Sequence, residues 1–129
     1  MNESKKENQY SRVAKEAYQH IVHRKMQIID AWVAAAENNI ASEESRKKGC
    51  PKSAFVGLCE SGDLKDIKML AQSDSINYKY VKFAISEWKK DAYISKAAMW
   101  SKIRKQFPGG AIDHQGQLDV LKGVWEYLH

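Results

Sequence analysis

The stretch Ile76-Asn77-Tyr78-Lys79-Tyr80-Val81-Lys82-Phe83-Ala84-Ile85-Ser86-Glu87-Trp88-Lys89-Lys90-Asp91-Ala92 places Val81, Ala84, Ile85 and Trp88 at intervals of three and four. That spacing is the period of an α-helix with one buried side. A strand would alternate at every second residue, and no convincing run of that kind occurs in the chain. Toward the N-terminus, Ser73-Asp74-Ser75 supplies a turn or cap, and Asp63 is a suitable N-cap for a short helix through Leu64, Ile67, Met69 and Leu70. Pro51 suits the first turn of another helix, where its missing N–H costs nothing. That helix carries Ala54, Phe55, Leu58 and Cys59 inward and stops at Gly62. The polar run Ser42 to Gly49 reads as a loop. Tyr10, Val13, Ala14, Ala17, Tyr18 and Ile21, then Ile28, Ile29, Trp32, Val33 and Ala36, are again helical in spacing. They form either one long helix or two with a kink near Lys25.

Toward the C-terminus, Ser95 caps a helix through Ala98, Met99, Trp100 and Ile103, ending before Pro108-Gly109-Gly110. A last helix carries Leu118, Leu121, Val124, Trp125 and Leu128. The expected fold is all-α: a single compact domain over residues 1–129, built as a bundle of five or six helices, with residues 1–8 as a flexible tail. Trp32, Trp88, Trp100, Trp125, Phe55 and Leu58 are expected in or near its core. A weak internal echo relates Val13, Ala17, Ile21 and Trp32 to Tyr80, Ala84, Trp88 and Trp100. It suggests a duplicated helix–turn–helix unit whose Trp32 and Trp100 fill equivalent pockets.

The composition fits a soluble domain. Of 129 residues, 43% are apolar and 29% charged, which excludes a disordered chain, a collagenous one and a multidomain enzyme. Two cysteines, Cys50 and Cys59, are too few for a disulfide scaffold. No run approaches the ~20 apolar residues of a membrane span, and the polar start of the chain is unlike a secretory signal. A cytoplasmic protein with reduced thiols is expected.

The block Lys47-Lys48-Gly49-Cys50-Pro51-Lys52-Ser53-Ala54-Phe55-Val56-Gly57-Leu58-Cys59-Glu60-Ser61-Gly62 resembles a family of small uncharacterised bacterial proteins. So does the later block His114-Gln115-Gly116-Gln117-Leu118-Asp119-Val120 followed by Trp125. Members share KKGCPxSAFxGLCxxG and HxxQxDVxxxxW patterns. The resemblance implies fold and kinship and brings no established activity. Where members continue with a Gly-rich, hairpin-like segment, this chain has Asp63-Leu64-Lys65-Asp66-Ile67-Lys68, so no wing is expected here.

Four residues are candidates for catalysis. Cys50 stands at a helix start between Lys48 and Lys52, where the helix dipole favours a thiolate that Ser53 is placed to support. Cys50-Pro51-Lys52-Ser53 resembles the CPxS of glutaredoxin-like sites, but that fold needs βαβ context. The structural alternative is a turn at Gly49, Cys50 packed as a small hydrophobe and Ser53 capping the helix. His114 and Asp119 form either an acid/base pair or a network at the start of the last helix, with Gln117 or His114 as cap. Lys48 and Lys52, with Lys47, also surround a helix N-terminus suited to an anion. Glu16, His20 and His23 share a helix face, but so few ligands do not complete a metal site. No metal and no cofactor are expected.

The net charge of +5 is uneven. Residues 49–76 hold three basic and four acidic groups, whereas residues 77–105 hold eight basic and two acidic. At 100° per residue, Lys79, Lys82, Lys89 and Lys90 fall within about 100° of arc, opposite the apolar side of their helix. Lys96, Lys102, Arg104 and Lys105 extend the charge. A helix–turn–helix over residues 55–70 would carry Asp63 and Asp66 on its second helix, which argues against specific DNA reading. The expectation is a non-catalytic binding module whose basic face meets an anionic partner, nucleic acid or acidic protein, without membrane attachment. Its alternative is a thiol-dependent enzyme or redox sensor centred on Cys50.

Overall fold

The structure is a computed structural model that describes residues 8–110 and 113–129. Seven of the eight residues assigned to an N-terminal tail lie outside that range. The eighth, Asn8, is no tail: its Oδ1 accepts from the Tyr10 amide at 2.7 Å and caps the first helix. The elements are α1 (Gln9–Arg24), α2 (Ile28–Asn39), α3 (Glu43–Arg46), α4 (Gly49–Glu60), α5 (Ile76–Lys90), α6 (Lys96–Gln106) and α7 (Gln117–Val124), followed by a 3₁₀ turn, Trp125–Tyr127. The fold is an all-α bundle of six helices, with α3 a single extra turn of four residues. Among the described residues there is no strand, only one isolated antiparallel bridge between Leu64 and Leu128.

The N-terminal region is two helices. Lys25 adopts a left-handed conformation (φ 59°), and the amides of Lys25 and Met26 both turn back to the His20 carbonyl, closing α1. The run expected to be a loop begins with a helical turn, because Ser42 caps α3 through the Ser45 amide and Arg46 grips the Ile40 and Ala41 carbonyls. The expected helix after Asp63 does not form. Asp63 caps nothing: its carboxylate accepts from Tyr78 and Lys82. The backbone is held across the chain instead, with Lys65 N–H on the Tyr127 carbonyl (2.7 Å) and His129 N–H on that of Asp63 (3.1 Å). Leu70 and Ala71 donate to the Glu60 carbonyl. The proposed helix–turn–helix over 55–70 therefore lacks its second helix.

One core runs through the bundle. Trp32, Phe55, Leu58, Leu64, Met99, Ile103, Leu118 and Leu121 are its largest sealed apolar side chains. Trp88 and Trp100 are buried, and Trp125 packs half-buried against Trp88 at the edge. Helices α1 and α2 pair, and α7 lies against α1, α4 and α5. The α1–α7 crossing is close: a Cβ on Gly123 would stand 2.3 Å from the Ser11 carbonyl oxygen. One turn earlier on α7, the buried Ser11 hydroxyl donates to the Asp119 carbonyl at 2.6 Å. At the α4–α5 crossing, a Cβ on Gly57 would meet the Tyr78 Cβ at 2.5 Å. The two tryptophans of the internal echo do not fill equivalent pockets. Trp32 packs on Phe55 of α4, whereas Trp100 meets Tyr80 edge-on and lies beside His114.

Candidate functional site

The cysteine candidates separate on α4. Cys50, in its first turn, is half-buried and lines a groove of ≈ 630 Å³ with Ile76, Asn77, Tyr80, Phe107 and the Pro108–Gly110 turn. Among the described residues, no histidine, carboxylate or basic residue lines that groove. Ser53 lies inside α4 and lines a different depression, with Ile29, Val56 and Ser75, so it is not the cap of this helix. Lys48 is the N-cap residue and makes no side-chain cap bond. Gly49 is the first helical residue. Cys50 and Cys59 are both free thiols, and burial pushes the sealed Cys59 well above its ordinary range.

His114 and Asp119 are not an acid/base pair with Cys50, and neither lines its groove. Asp119, on the first turn of α7, is 5% exposed and meets Lys96 Nζ at 2.5 Å. His114 lies against the Trp100 ring, and its Nδ1 is buried without a partner among the described residues. Neither Gln117 nor His114 is the cap of α7: Gly116 holds that position without a side-chain cap bond, and Gln117, the first helical residue, accepts from the Gln115 amide and reaches Asn77 on α5 at 3.0 Å.

Glu16 and His20 meet at 3.0 Å, but His23 is exposed, and no group of three or more ligating side chains comes together among the described residues. Asn38 and Asn39 from α2 also donate to the Glu16 carboxylate, at 2.6 and 3.0 Å. Burial alone raises the Glu16 pKa, but these hydrogen bonds and the His20 ring outweigh it and hold the carboxyl below its ordinary value. A depressed carboxyl adds stability that is present above its unfolded pKa and is lost as pH falls through its folded one. Urea unfolding should show this directly: the stability gap between the natural protein and Glu16→Gln is expected to be wider at neutral pH than in acid, below both values.

The basic arc of α5 is placed as its angles predict. Lys79, Lys82, Lys89 and Lys90 are exposed, while Val81, Ala84, Ile85 and Trp88 face inward. Its charge is partly neutralised, by Glu87 on the same helix and by Asp63 from a distant segment, which the local pattern does not reveal. Lys82 meets Asp63 at 2.6 Å, and that contact, with Asp63 also held by the Tyr78 hydroxyl, raises the Lys82 pKa. Lys90 and Lys102 share Glu87, and Lys96 is taken by Asp119. Lys89 sits 3.4 Å from the His129 carbonyl oxygen. Lys79, Arg104 and Lys105 are exposed, and no carboxylate pairs with them among the described residues. Tyr80 and Phe83 pack their rings on Phe107 at 5.5 and 6.1 Å, which brings the start of α5 to the end of α6. These three cations thus belong to one end of the α5–α6 hairpin. Arg104 and Lys105 border a depression of ≈ 470 Å³ walled by Ser101, Phe107 and the Gly109–Gly110 turn.

No described helix is long and apolar enough to cross a membrane. The chain matches the family described as "Family of unknown function (DUF6979)" over residues 7–128 and belongs to it. No curated protein and no solved structure matches the chain.

Proposed function

We propose that this family member is a non-catalytic binding module of the cytoplasm whose α5–α6 end contacts an anionic partner, nucleic acid or acidic protein. The observation that carries this reading is the charge left over once internal pairs are taken out. Lys82, Lys90, Lys96 and Lys102 have carboxylate partners, while Lys79, Arg104 and Lys105 at one end of the hairpin do not. Exposed ion pairs contribute little to stability, about 0–1 kcal/mol, but they cancel field at the surface. Unpaired cations retain theirs and attract phosphates or carboxylates without base specificity. The reading thus narrows the lysine arc to Lys79 with Arg104 and Lys105, leaving Lys89 and Lys90 at the far end of α5. Cytoplasmic placement is supported by the two free thiols.

The test is retention on heparin at low salt. Lys79→Glu/Arg104→Glu/Lys105→Glu is expected to elute at markedly lower salt than the natural protein, and Lys82→Gln/Lys90→Gln close to it. Equal retention of the triple variant and the natural protein would remove this surface from the account. A thiol-centred activity at Cys50 is the weaker reading, since no histidine, carboxylate or basic residue among the described residues lines its groove.

A further inference from the structure

We propose that the cavity between α2 and the start of α4 binds a small zwitterion with an apolar body, an apolar α-amino acid. This site is separate from the basic end of α5–α6 and stands or falls independently of it. The cavity holds ≈ 320 Å³, at the small end of the roughly 300–1,000 Å³ of ligand pockets. Trp32 forms part of its wall and is 1% exposed, yet its indole N–H has no acceptor among the described residues. Buried donors in folded proteins are almost always paired. Trp32 borders a cavity whose wall carries further donors, and a donor left without an acceptor beside it suits a carboxylate.

The charges around the cavity divide into those already used and those left over. Lys47 pairs with Glu43 at 3.3 Å, and Arg46 Nε and Nη2 donate to the Ile40 and Ala41 carbonyls at 2.6 and 3.2 Å. These contacts hold α3 in place over the cavity mouth. The Lys52 ammonium and the Glu37 carboxylate, both lining the cavity, are joined by no such contact to another described side chain. One unpaired cation and one unpaired anion suit a ligand that carries one of each. Lys52 and the Trp32 N–H take its carboxylate, and Glu37 takes its ammonium. Val33, 44% exposed on α2, and Ala36 supply an apolar wall for the side chain between the two charges.

The experiment titrates the full chain with L-leucine, with 4-methylpentanoate, which lacks the ammonium, and with 3-methylbutylamine, which lacks the carboxylate. The readout is the ¹H–¹⁵N indole resonance of Trp32, one of four tryptophans, assigned by its loss in Trp32→Phe. Leucine is expected to move that resonance saturably, and each analogue to bind about tenfold more weakly or worse, the cost of one lost charge contact. Lys52→Gln should weaken leucine and 4-methylpentanoate alike, while Glu37→Gln should weaken leucine and leave 4-methylpentanoate unchanged. Both changes sit at the surface, and unaltered resonances of the other three tryptophans show that the fold is intact. A Trp32 resonance that leucine leaves in place up to about 10 mM, a concentration that detects binding free energies as weak as roughly 3 kcal/mol, overturns the site. So does 4-methylpentanoate binding as tightly as leucine, or leucine binding Lys52→Gln as tightly as the natural protein.

Discussion

Gly123→Val should lower the thermal midpoint by roughly 8 °C, because it drives α7 off α1. A helix-interior glycine replaced by a residue with a side chain ordinarily gains up to about 1 kcal/mol of helix propensity. Here the first added carbon would stand 2.3 Å from the Ser11 carbonyl oxygen and 2.8 Å from its Cα. Those are backbone atoms, so no rotamer change relieves the clash and the helices must separate. Separation also stretches the Ser11–Asp119 hydrogen bond one turn away. Overpacking of this kind costs about 3 kcal/mol, which exceeds the propensity gain, and about 4 °C per kcal/mol is the scale for a chain of this length. Gly123→Ala should fall in the same direction by less. A differential scanning measurement that finds either variant as stable as the natural protein would mean that α1 and α7 do not cross at Gly123.

Phe55→Ala should be at least as damaging. Phe55 is fully buried, and its ring lies 5.3 Å from that of Trp32, joining α4 to α2. Truncating such a side chain costs about 3–5 kcal/mol, from lost burial and the cavity that remains. Phe55→Leu keeps much of the volume and should lose less than half as much. Chemical denaturation checks both: a midpoint that falls with an unchanged m-value reports lost packing in the same fold. If Phe55→Ala were nearly neutral, the family block would not be the core element described here.

The helices were legible where one segment decides its own state. The spacing of Val81, Ala84, Ile85 and Trp88 placed α5 and its buried side, and Ser95 was read correctly as the cap of α6 through the Ala98 amide. Residues 63–71 misled because Leu64, Ile67 and Leu70 have helical spacing but do not share an environment. Leu64 is sealed by its bridge to Leu128, while Leu70 is 69% exposed. What fixes that segment is its bridge to the C-terminal end of the chain about sixty positions away, which local periodicity does not encode. The C-terminal helix was read too long for a related reason. Tyr127 stacks on Tyr18 at 4.0 Å, and the chain tightens into a 3₁₀ turn from Trp125 to make that contact.

The candidate site divides in the same way. The arc of lysines follows from helix angles alone, but the neutralisation of Lys82 by Asp63, and of Lys96 on α6 by Asp119, depends on tertiary contacts spanning 19 and 23 residues. Asp63 was assigned to a helix cap and instead binds Tyr78 and Lys82. Of the cavity beside Trp32, the sequence shows only the lysines around the start of α4, Lys47 and Lys52, since a tryptophan at a core position looks the same whether or not its N–H finds an acceptor. Cys50 was correctly placed in the first turn of a helix. The groove around it, assembled from α5 and the turn after α6, carries no histidine, carboxylate or basic residue among the described residues.

The most direct test of the central claim is the dissociation constant for one nonspecific duplex, measured against salt concentration. Three cations engaging phosphates predict that log K falls with log salt at a slope of about −2.7. The account predicts a slope near zero for Lys79→Glu/Arg104→Glu/Lys105→Glu, with binding lost at low salt, and a slope close to that of the natural protein for Lys82→Gln/Lys90→Gln. The same slope and affinity in the natural protein and the triple variant would contradict it.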